Sequence, residues 1–165
     1  MRREDDVEAP PYRAAAGLAG IAGLRSMAAP ALLSRVARRG DVGGLQGTPF
    51  ATLGSSKVST TLQLLMIGEM VADKTPFIPS RTSAPALLGR ALSGALVSAT
   101  LFVSKRHRGT SGAVLGTLSA VAAAHAGEKL RAVGTEMLGL PDPILGLLED
   151  GIVLFGGTRL LRNMF

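Results

Sequence analysis

Cysteine and tryptophan are absent from the chain, and aromatic residues fill only 4% of its 165 positions. Without cysteine there is no disulfide framework and no thiolate metal site, and the redox compartment carries no mark. Nucleic-acid binders combine a basic stripe with rings that stack on bases. Here the rings are scarce, and the formal charge of +6 is divided into small clusters between apolar runs, so no nucleic-acid partner is expected. Charged residues make up 18%, below the roughly 25% usual for soluble domains. Also missing are a phosphate-binding loop with its lysine and a nucleophile elbow. "GLAGIAG" has neither a preceding strand nor the dinucleotide spacing. An enzyme and a bound cofactor are therefore not expected.

What is present is small and apolar. Hydrophobic residues account for 47%, mean hydropathy is +0.32, and there are 21 Gly and 9 Pro. Small residues let helices approach closely in lipid, where packing replaces the hydrophobic effect as the driving force. Five apolar segments run from about Ala14 to Leu33, Val58 to Ala72, Ala86 to Val103, Thr110 to Gly127 and Ile144 to Leu161. The first has twenty residues, roughly 30 Å as a helix and about one hydrocarbon thickness. The expected fold is all-α, an integral membrane bundle of about five segments in a single domain, 14–165, after a disordered polar tail, 1–13. Glu4, Asp5, Asp6 and Glu8 in that tail argue against a cleaved signal peptide. The amphipathic stretch 128–143, with Leu130, Val133 and Met137 at helical spacing, fits a span, an interfacial segment or a loop. The lipid bilayer is then the main partner, in a multi-pass protein of the bacterial inner membrane. Five spans enclose a pathway poorly, so a homo-oligomer is expected.

Counting five spans puts nine basic residues of the loops and C-terminus on one side and seven on the other. The positive-inside rule then leans toward an external N-terminus. The sequence also hints at a duplicated two-helix unit. Each copy would hold a span, a basic loop ("RVARRG", "KRHRG"), and a second span ending in Gly-Glu before a proline turn.

Charges inside apolar segments point to a site. Arg25 is the twelfth residue of the first segment, where an unpaired guanidinium costs about 2.5–3.5 kcal/mol. It calls for a carboxylate mate, with Glu69, Glu149 and Asp150 as candidates. Glu69 and Asp73 lie four apart on one helix face, followed by Lys74. Such a pair suits a cation or a proton, or else is solvated at a helix end. Glu149 and Asp150 are adjacent, about 100° apart on a helix, and cannot both face one ligand without a break. His125 and Glu128 share a face and form a secondary candidate for proton relay or metal. The same charges also fit a purely structural role, locking helix register.

"GLRSMAAPAL" and "GEMVADKTPFIPSRT" together resemble the bacterial membrane proteins grouped as domain of unknown function 4126. The resemblance extends from about Gly17 to Leu161 and is best carried by Glu69-x-x-x-Asp73-Lys74-x-Pro76. It implies a multi-span helical membrane protein and no particular activity. The acidic run is also similar to the Glu-x-Gly-Asp-Lys-Thr signature of small cation/proton exchangers. It departs from that signature, with three residues between Glu69 and Asp73 where the signature has two, and Ala72 in place of its glycine. The likeness is one of chemistry and transfers no ligand set.

Overall fold

A computed structural model describes residues 9–73 and 82–165. Lys74, the Pro-x-x-Pro turn and the first eight residues of the expected tail lie outside the described residues. The helices are α1 (Tyr12–Leu24), α2 (Ala28–Arg39), α3 (Ser56–Ala72), α4 (Ala84–Ser104), α5 (Gly109–Leu138) and α6 (Asp142–Arg162). A 3-10 turn, Pro49–Gly54, precedes α3. Among the described residues there is no strand, and the fold is all-α.

The first apolar segment is not the single helix expected from its length. It is two short helices separated at Arg25–Met27. Pro30 supplies the reason. A proline has no N–H for the carbonyl four residues earlier, and its ring clashes there. That carbonyl belongs to Ser26, and Ser93 Oγ of α4 donates to it instead. Arg25 adopts an extended backbone and closes α1. Within the first turn of α2, Pro30 costs nothing, because first-turn N–H groups have no intrahelical acceptor.

The break reverses the chain. Tyr12 packs edge-on against Phe102, and Ser98 Oγ donates to Ala15 O at 3.0 Å, so α1 starts beside the C-terminal end of α4. Its far end reaches only Ser93, halfway along α4. The chain then returns, since Gly44 lies against the backbone of Ser104. On α6 the register agrees: Asp150 meets Arg25, Gly157 meets both Ile21 and Leu32, and Leu160 meets Gly17. So α1 and α2 form a helical hairpin that enters the bundle from one end and turns at mid-depth.

Three other expectations change. α5 continues through the 128–138 stretch, giving one 30-residue helix that ends at the left-handed Gly139. Helix α6 begins at Asp142, with Pro143 in its first turn. The first described residues and the last residues of the chain also share one end, because residues 9–14 line a cleft with Lys105 and Asn163. The five-span count put these termini on opposite sides. That count took the hairpin for one through-going helix, whereas α1 and α2 run out and back.

Small residues hold the long helices together. Gly94 of α4 and Gly116 of α5 sit backbone to backbone, so a Cβ on either would overlap the other's carbonyl. Gly23 of α1 lies as close to the carbonyl of Ala120. Outside this core, Leu64, Ile67 and Val71 of α3, Leu88 and Leu92 of α4, and Leu148, Ile152 and Phe155 of α6 are exposed. Among the described residues one helix, α4, is long and apolar enough to cross a membrane.

Candidate functional site

The hairpin tip carries the charge. Arg25 is fully buried, at 0% exposure, and holds a carboxylate on each side. Its Nη1 lies 2.6 Å from Asp73 Oδ2, and its Nε donates to Asp150 Oδ1 at 2.8 Å. The mates are thus Asp150, as anticipated, and Asp73, which follows the last residue of α3. Arg25 Nη2 has no hydrogen-bond partner among the described residues. From α5, Arg131 Nη2 reaches Asp73 Oδ2 at 3.2 Å and Glu149 Oε2 at 3.4 Å. A chain of ion pairs therefore runs Asp150–Arg25–Asp73–Arg131–Glu149 through α6, the hairpin tip, α3 and α5. Arg131 is not among the candidates from sequence, because the sequence leaves open whether 128–143 spans, lies at an interface or is a loop.

Glu69 has a different task from its neighbour Asp73. Its Oε1 accepts from the Ser26 N–H at 2.8 Å and from Ser26 Oγ at 2.9 Å. Its Oε2 accepts from the Met27 N–H at 2.8 Å. These N–H groups belong to the break and point out of the start of α2, where the helix dipole favours negative charge. Glu69 thus serves as a cap delivered from another helix. The two acids on one face divide the tip between them, Glu69 taking backbone and Asp73 taking guanidinium.

Glu149 and Asp150 follow their helical angle: Asp150 faces Arg25 and Glu149 faces Arg131, on an unbroken helix. His125 and Glu128 do not form a pair. His125 is exposed, and Glu128 Oε2 accepts from Thr82 Oγ1 at 2.8 Å. Among the described residues no three His, Asp or Glu side chains gather as metal ligands. A cavity of about 250 Å³, lined by Arg131, Glu149 and apolar residues including Leu24 and Ile152, adjoins the cluster.

Residues missed by the sequence reading include Ser26, Met27 and Ser93, which act through backbone or hydroxyl groups. A signal existed. "APALLSR", Ala29–Arg35, recurs as "APALLGR", Ala84–Arg90. Aligned on these strings, Met27 corresponds to Thr82, the two residues held by Glu69 and Glu128 of the Gly-Glu pairs.

Residues 13–161 match the family described as Domain of unknown function (DUF4126). The chain belongs to this family. The matched span takes in the hairpin and every member of the charge cluster. No curated protein and no solved structure matches the chain.

Proposed function

We propose that this DUF4126 protein is a multi-pass membrane protein that moves a small ion or a proton through the charge cluster at the hairpin tip. The observation carrying this reading is the convergence of Arg25, Arg131, Glu69, Asp73, Glu149 and Asp150 inside the bundle. Exposed leucines and isoleucines, meanwhile, face outward on α3, α4 and α6. That is the arrangement expected when lipid surrounds the helices, since intramembrane ionisable groups face the interior and mark ion pathways. An interrupted hairpin at mid-depth is the second support. Non-helical backbone is tolerated there only inside protein, and transporters use such breaks to hold ions. The unmatched Nη2 of Arg25 gives an incoming water or solute a donor.

In this reading α1 and α2 are re-entrant and α3 to α6 span. Arg13, Arg35, Arg38, Arg39, Lys57, Lys105, Arg106, Arg108, Arg159 and Arg162 then all sit at the end holding the start of α1 and the end of α6. Lys129 and Arg131 stand toward the other. The positive-inside rule puts both termini in the cytoplasm, reversing the orientation drawn from five spans. The repeated "APALL" strings support a duplicated unit, α2–α3 and α4–α5, each with a glutamate of its second helix anchoring the residues just ahead of its first. Assembly as a homo-oligomer belongs to the same proposal.

A structural role is the second reading, favoured by one observation: the acids of the cluster are already engaged by guanidinium or backbone donors. Proteoliposome flux of protons and of a panel of monovalent and divalent cations separates the two. Transport predicts that Glu69→Gln abolishes a wild-type flux with folded protein still recovered. Flux unaltered by Glu69→Gln, with Arg25→Ala lost from the assembled fraction, assigns the cluster to structure.

A further inference from the structure

A second site lies at the basic end, away from the charge cluster. The C-terminal halves of α2 and α6 enclose a cleft of about 370 Å³, within the size range of small-molecule sites. Arg35 and Arg39 of α2 and Arg162 of α6 line it, with Asp41 as the one acid, and Val36 and Phe165 among its apolar walls. Basic residues in a helix's last turn offset its free carbonyls. That accounts for each helix separately, but not for three guanidiniums turned onto one cavity, where like charges repel. Arg35 Nη2 donates to Gln63 Oε1 at 2.7 Å, while Arg39 and Arg162 make no ion pair among the described residues. Guanidinium is the side chain best matched to phosphate oxygens, which it binds through two N–H groups at once. The mixture of apolar wall and cationic rim suits a molecule with both characters.

We propose that this cleft binds the phosphate of an anionic phospholipid, with Arg35, Arg39 and Arg162 on the headgroup and the Phe165 side toward the acyl region. The assignment of a lipid source rests on the membrane reading above. The cleft lies at the end where that reading puts the cytoplasmic leaflet, whose anionic lipids attract juxtamembrane basic residues.

The test is thermal unfolding of the full chain in mixed micelles, titrated with phosphatidylglycerol, with phosphatidylcholine, or with inorganic phosphate. Phosphatidylglycerol should raise Tm saturably where phosphatidylcholine does not. Arg39→Gln and Arg162→Gln should each weaken the apparent affinity roughly tenfold. Both positions are exposed, so folding should survive, and Arg106→Gln, basic at the same end but outside the cleft, should leave the affinity unchanged. Equal weakening by Arg106→Gln reduces the effect to general surface charge and overturns the site. So does a shift indifferent to Arg39→Gln and Arg162→Gln, or no shift with any probe. Reproduction of the full effect by inorganic phosphate overturns the lipid source. Failure of the membrane reading would be visible separately, as protein that stays monodisperse without detergent.

Discussion

Replacing Arg25 by methionine tests the core of the structure most directly. Methionine keeps much of the side chain's length and fills apolar space, so the effect measured is chiefly loss of charge rather than a cavity. In the native protein the guanidinium is 0% exposed and stands 2.6 Å from Asp73 and 2.8 Å from Asp150. Removing one member of a buried pair costs about 3–5 kcal/mol, mostly because the partner charge is left stranded. Asp73 keeps Arg131 at 3.2 Å. Denaturant or thermal unfolding in micelles should register the loss, roughly 6–20 °C in Tm at about 2–4 °C per kcal/mol. Adding Asp150→Asn to Arg25→Met should recover part of the loss, since one of the two carboxylates that faced the guanidinium then carries no charge. A single substitution within about 1 kcal/mol of wild type, or a double variant no better than the single, would refute the pairing.

Other outcomes follow from the same contacts. Gly116→Ala puts a methyl against the carbonyl of Gly94; overpacking of this kind costs about 1–3 kcal/mol and should lower Tm or the yield of folded protein. Ser93→Ala removes the hydroxyl that satisfies Ser26 O at the hairpin tip. It should destabilise by about 1–3 kcal/mol, and hydrogen exchange at Ser26 to Ala29 should rise before exchange in α5 does.

Much of the helical content was legible from composition and length. The second, third and fifth apolar segments became α3, α4 and α6 with small shifts at their ends. One element was misread and another not settled, for identifiable reasons. Segment one looked like a span because apolar length outweighed Pro30, although a proline sixteen residues into such a run is itself a break signal. The sequence leaves the 128–138 stretch open between span, interface and loop because Glu128, Lys129, Arg131 and Glu136 interrupt its apolar pattern. In the structure Glu128 and Arg131 turn toward Thr82 and the cluster while Leu130 and Met137 are exposed.

By itself the sequence determined the all-α character, the small-residue contacts and the need of Arg25 for an acid, because these depend on residue type and short-range spacing. Only the tertiary structure decided that Asp73 and Asp150 answer Arg25, that Glu69 caps a broken hairpin, and that the start of α1 lies beside the end of α6. Those facts depend on the direction in which the chain leaves Arg25. One extended residue there turns an apparent crossing into a return, and no count of apolar residues contains that turn.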